Sequence, residues 1–104
     1  MRKQITPLKE LSLGNEIIDI GDSAFSNTLL ENVIIPNSVR HIGVRAFNCE
    51  NLESAIFEDT SIWYYTSNSS FASGVVIPEL DIADASIAAD YLKATYVDKY
   101  FYKN

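Results

Sequence analysis

The sequence predicts an α/β fold of stacked repeats, a solenoid with about three short parallel strands 22 residues apart, closed by a C-terminal cap. Three observations carry this expectation. Residues 20–57 contain one unit written almost twice: Ile20-Gly21 returns as Ile42-Gly43, Ala24-Phe25 as Ala46-Phe47, Leu30-Glu31 as Leu52-Glu53, and Ile34 as Ile56. Each pair is 22 positions apart, so no gap is needed, and a fixed period of roughly 20–30 residues marks a repeat architecture. A fainter third copy precedes them, with Leu8, Leu11 and Leu13 in phase with Leu30, Val33 and Ile35 and with Leu52, Ala55 and Phe57. After Phe57 the repeat stops, and an aromatic-rich segment takes over. The whole is one domain over 1–104, with repeats about 8–57 and a cap about 58–104.

The spacing L-x-x-L-x-L is the skeleton of a leucine-rich repeat. Its period-2 end predicts a short strand with one buried face in each copy. Turn signals follow, Gly14-Asn15 and Pro36-Asn37, then second apolar pieces, Ile17-Ile18-x-Ile20 and Val39-x-x-Ile42, expected as extended return segments. Gly21 and Gly43 are expected to permit a sharp reversal into short helical turns carrying Ala24-Phe25 and Ala46-Phe47, with the phenylalanines filling the space between coils. Asn27 and Cys49 occupy equivalent positions, expected at a buried bend where either side chain bonds unpaired backbone. His41, the sole histidine, falls at a polar position, and the sequence predicts it to be exposed.

In the remainder, 62–66 reads as a strand, the Ser/Asn run after it as a loop, and 74–78 as a strand ended or placed at an edge by Pro78. Asp84 can cap a helix starting near Ala85, whose stripe Ile87, Ala88, Tyr91, Leu92 has helical spacing. Thr95 is expected to cap a second helix over 96–102, with Lys103 favourable at its end. Trp63, Tyr64, Tyr96, Tyr100 and Phe101 supply large surfaces to cover the last coil.

Composition excludes several functions. Fourteen acidic and eight basic side chains give a net charge of −6, and the basic residues are scattered, which argues against nucleic acid as a partner. One cysteine excludes an internal disulfide framework. No apolar run approaches a membrane span, and the basic start lacks the apolar core of an export signal, so the chain taken literally is soluble and stays where it is made. Glu79, Asp81 and Asp84 lack the spacing of a calcium loop. Neither a catalytic triad order, a phosphate-binding loop nor a zinc motif is present. The expectation is a non-enzyme without cofactor or metal.

The repeats resemble the BspA-type leucine-rich repeats, whose unit reads I-G-x-x-A-F-x-x-C-x-x-L-x-x-V-x-I-P. Ile20-Gly21-Asp22-Ser23-Ala24-Phe25 and Leu30-Glu31-Asn32-Val33-Ile34-Ile35-Pro36 match it, one residue short before the leucine, and Ile42-Gly43-Val44-Arg45-Ala46-Phe47 opens the next copy. The C-terminal part is similar to endings of such proteins, through Trp63-Tyr64-Tyr65-Thr66, the run from Ala89 to Tyr96, and Tyr100. The resemblance implies a non-enzymatic recognition module, often part of bacterial cell-surface or secreted proteins that adhere to host or matrix proteins or to other bacteria.

Two candidate binding regions follow from the residues. Those alternating with the core positions of the strands form the columns Glu10, Asn32, Ser54 and Ser12, Ile34, Ile56 on the concave face. The loop after the repeats offers Trp63, Tyr65 and Asn68, a composition suited to protein or carbohydrate. Asn68-Ser69-Ser70 also fits a glycosylation sequon. The expected function is a protein-interaction or adhesion module binding through its concave sheet. The alternative is an architectural one, the capped end of a longer array. Little chain precedes Leu8, so the first coil is expected to pack on a second copy or on upstream repeats.

Overall fold

The computed structural model describes residues 10–103. Leu8, the segment before it and Asn104 lie outside the described residues, as does any cover for the first coil that 1–9 supply.

Two sheets and three short helical pieces make up the chain. Strands β1 (Glu10–Ser12), β3 (Asn32–Ile35) and β5 (Ser54–Phe57) form a parallel sheet in the order β1-β3-β5. Its register sets Glu10 beside Asn32 and Asn32 beside Ser54, and likewise Leu11 beside Val33 and Val33 beside Ala55. Alternation then decides the faces: Val33, Ile35, Ala55 and Phe57 are buried, whereas Ile34 and Ile56 are exposed. The return segments contain β2 (Asp19–Ile20) and β4 (His41–Ile42), paired in parallel.

Between return segment and next strand, the chain passes through stacked turns rather than the expected helical turns. Ala24 N–H bonds Gly21 O at 3.2 Å and Ser26 N–H bonds Ser23 O at 3.1 Å, with the same pattern at Ala46 and Asn48. Helix cannot propagate, because Ser23 and Arg45 adopt left-handed φ of 57° each. Successive turns are joined by a backbone ladder: Ser23 N–H to Val44 O, Phe25 N–H to Ala46 O, and Asn27 N–H to Asn48 O, at 2.8–3.0 Å. Arg45 N–H continues it to Val97 O at 2.7 Å, so the C-terminal segment takes the place of another coil. The Phe25 and Phe47 rings stack with centroids 5.5 Å apart, filling the inter-coil space.

The glycines work differently from the expected reversal, since neither has positive φ. A Cβ on Gly43 would stand 2.6 Å from Asp22 N and 2.8 Å from Asp22 Cα, so Gly43 allows close approach of the neighbouring coil. At Cys49 the bend is buried, and its thiol donates to Phe25 O at 2.9 Å. Asn27 does not share that role: it is exposed with a φ of 62°. Thr28 does, its hydroxyl donating to the same Phe25 O at 3.0 Å.

Beyond β5, β6 (Trp63–Thr66), β7 (Val75–Ile77) and β8 (Tyr100–Lys103) extend the second sheet to the order β2-β4-β8-β6-β7. Pro78 follows β7, which is an edge strand, and the proline opens α1 (Glu79–Ala83), a helix the sequence reading did not anticipate. Asp84 caps α2 (Ala85–Asp90), accepting from the N–H groups of Ser86 and Ile87. Residues Tyr91–Thr95 continue as a π-helical turn. The helix expected over 96–102 is not formed. Tyr100–Lys103 is a strand because it is flanked on both sides by open edges, pairing antiparallel with β4 and with β6. Consequently Lys103 caps no helix and is buried instead. One apolar core runs from Leu30 and Phe47 through Leu52 and Phe57 to Trp63, Ile82, Leu92 and Phe101.

Candidate binding face

Parallel register in β1, β3 and β5 gathers the sequence-derived columns onto one surface. Ser12, Ile34 and Ile56 lie in one row, and Glu10, Asn32 and Ser54 in the next. These six residues, with Leu11 and Val33, line an open groove of about 560 Å³. Ile34 is 37% exposed and Ile56 49%, and they are direct cross-strand neighbours, so their side chains form a contiguous apolar floor. Glu10, Asn32 and Ser54 bound that floor with polar groups able to hydrogen-bond a ligand. Leu80, on the helix α1 that packs beside β5, is 84% exposed, an apolar group that the sequence reading missed. Its signal, a leucine between acidic residues after a proline, is too short to distinguish a surface helix from a loop.

The loop candidates separate. Trp63 is 1% exposed, its indole N–H donating to Asp59 O at 2.9 Å and its ring set edge-on to Phe57. It offers nothing to a ligand, because the largest apolar side chain of the strand fills the core under the cap. Tyr65 is half-buried and stacks on Tyr96 at 4.0 Å. With Asn68, Ser67, Ser73, Val75 and Lys99 it lines a shallow depression of about 480 Å³. The Asn68 carboxamide oxygen is taken by Ser70, from its N–H at 2.9 Å and its hydroxyl at 2.6 Å.

His41, expected to be exposed, is half-buried. Its Nδ1 lies 2.6 Å from Asp19 Oδ1, and its ring packs on Phe71 with centroids 4.4 Å apart. Asp81 accepts from the Tyr91 hydroxyl at 2.5 Å, and that hydrogen bond, with burial, pushes the phenol up to about 12. Cys49 and His41 serve separate local structures. Among the described residues, no cluster of His, Cys, Asp or Glu could hold a metal ion. No helix among them is long and apolar enough to cross a membrane.

Stacked turns joined by a backbone ladder and a parallel sheet with one face open define a repeat protein. A family model described as the BspA type leucine rich repeat region, with six copies, matches residues 3–91, and the chain belongs to that family. The match continues past Phe57 into the segment that caps the sheet. Comparison with curated proteins and with solved structures finds no match. Repeats of this family are protein-interaction modules, typically non-catalytic and generally surface-associated in bacteria.

Proposed function

We propose that this chain is a non-catalytic adhesion module, whose coils stack as a solenoid and whose concave sheet face binds a protein partner at a cell surface. The observation that supports it is the adjacency of Ile34 and Ile56, two exposed isoleucines side by side in a groove edged by Glu10, Ser12, Asn32 and Ser54. Large apolar side chains exposed together on an otherwise polar face mark contact sites. Beside them the column Glu10, Asn32, Ser54 differs from copy to copy, whereas Ile20, Ile42, Ala46 and Phe47 of the recurring Ile-Gly and Ala-Phe pairs are buried in packing.

Capture from extracellular-matrix and cell-surface protein mixtures, comparing the native chain with Ile34→Asp/Ile56→Asp, tests this reading. The reading requires that captured partners be lost from the double variant while its circular dichroism and urea midpoint are retained. Equal capture by both proteins would remove the concave face.

A second reading, the capping end of a longer array, is favoured by one observation. Val97 O accepts from Arg45 N–H where a further coil would stand, and α2 packs beside β5. In that role the cap shields the last coil and the chain needs no ligand of its own.

A further inference from the structure

We propose that residues 18–26 form a docking face for one further coil of the same repeat, seated ahead of them in register. The inference rests on the array-end reading above and identifies the seat that such an array uses. The interface it would copy is already present between the two coils. There, Arg40 N–H donates to Ile18 O at 2.7 Å and Gly43 N–H to Ile20 O at 2.8 Å. In the reverse sense, Val44 O, Ala46 O and Asn48 O accept from the N–H groups of Ser23, Phe25 and Asn27. Subtracting the 22-residue period gives the matching groups one coil earlier, the N–H groups of Ile18 and Gly21 and the carbonyls of Asp22, Ala24 and Ser26. Among the described residues, none of these groups has a hydrogen-bond partner. Exposure agrees. Gly43, Ala46 and Phe47 are buried, whereas Gly21 and Ala24 are exposed and Phe25 is half-buried.

A row of unpaired backbone groups in fixed register is a template for more chain of complementary pattern. Here the pattern, donors followed by acceptors, is one that a coil of this unit already covers once in the molecule. Stacking between nearest neighbours of that kind is what stabilises repeat proteins. The side chains also leave the room it needs. A Cβ on Gly43 would stand 2.6 Å from Asp22 N, whereas one on Gly21 meets nothing described within 4 Å. Gly21 thus holds open the space that a neighbouring backbone fills at Gly43. Val44 N–H donates to Asp22 Oδ1 at 3.0 Å, so the position matching Asp22 in the incoming coil calls for an acceptor side chain to meet Asp22 N–H.

Amide hydrogen exchange of the full chain, beside a chain in which residues 18–39 are duplicated in tandem, tests the docking. The duplication adds one 22-residue period, so the first copy lies ahead of the second in register. In the native chain Ile18 and Gly21 are expected to exchange freely while Arg40 and Gly43 are protected. In the extended chain Ile18 and Gly21 of the second copy are expected to slow by about tenfold or more, toward the rate of Gly43. Gly21→Ala in that second copy is expected to lower Tm as Gly43→Ala does in the native chain, whereas in the native chain it leaves Tm nearly unchanged. Free exchange of the second-copy amides, a harmless Gly21→Ala there, or an extended chain that does not fold overturns the proposal. Protection of Ile18 and Gly21 in the native chain overturns it too, assigning the face to a second copy if protection rises with protein concentration and to the chain itself if it does not. Arg45 N–H, which donates to Val97 O, reports the capping reading separately. Its protection in both chains keeps that reading whatever Ile18 and Gly21 show, and its free exchange sinks it.

Discussion

The ammonium group of Lys103 stands 2.6 Å from Asp59 Oδ2, with the lysine side chain only 6% exposed. The same nitrogen donates to Asn37 O at 2.7 Å and lies 5.6 Å from the centre of the Trp63 ring. One side chain thus ties the last strand to the turn after β3 and to the segment after β5. Lys103→Met should lower stability by about 2 kcal/mol, below the value for breaking a fully buried pair, because Asp59 is 32% exposed and can hydrate. Urea unfolding at neutral pH measures it. A loss under about 0.5 kcal/mol, the range of ordinary surface changes, would deny the tie its structural role.

The same pair makes a prediction about acid. The hydrogen bond from Lys103, and next those from Ser61, hold the Asp59 carboxyl well below the usual carboxylate range. A folded-state value below the unfolded one means that the unfolded chain binds the proton first. The stabilisation is therefore complete above the ordinary value of about 4 and is lost as the pH falls toward the depressed one. Between pH 6 and pH 3 the native chain should lose more stability than Lys103→Met. Parallel urea curves for the two proteins at both pH values would contradict this if their losses were equal.

Gly43 and Gly21 occupy equivalent places in successive copies but not equivalent surroundings. An added methyl at Gly43 meets the backbone of Asp22, whereas at Gly21 nothing described lies within 4 Å. Gly43→Ala should cost about 3 kcal/mol by overpacking, and Gly21→Ala should stay within about 0.5 kcal/mol. Thermal melts of the two variants report the contrast, and similar melting points would show that the coils do not approach closely at Gly43.

Two donors converge on Phe25 O, the Cys49 thiol and the Thr28 hydroxyl, themselves 3.3 Å apart. Either single substitution to valine leaves the carbonyl one partner, so each should cost about 1 kcal/mol. The double variant leaves it none in a buried bend, and should cost about 1 kcal/mol more than the sum. A double-mutant cycle by urea unfolding checks this, and strict additivity would rule out a shared acceptor.

Repetition is what made the parallel sheet legible. Leu11, Val33 and Ala55 are opposite one another in β1, β3 and β5, and alternation about them sets which side chains face outward. Asp84 was legible because an N-cap is a local device, satisfied by its own next three residues. β8 was not. Tyr96, Tyr100 and Phe101 have helical spacing, and what makes 100–103 a strand is a pair of open edges supplied by β4 and β6, distant in sequence. Trp63 misled for a related reason, since an aromatic beside Ser and Asn suits a binding loop and a core equally until its neighbours are known. At Gly43 the need for glycine comes from the adjacent coil rather than from the local backbone, and only the stacked arrangement reveals it.

The concave face as the place of binding is the central claim, and hydrogen–deuterium exchange of the chain with and without its captured partner tests it most directly. The account predicts slowed exchange at 10–12, 32–35 and 54–57, with 63–74 and 96–100 unchanged. Protection confined to 63–74 and 96–100, with the three parallel strands exchanging as in the free chain, would contradict it.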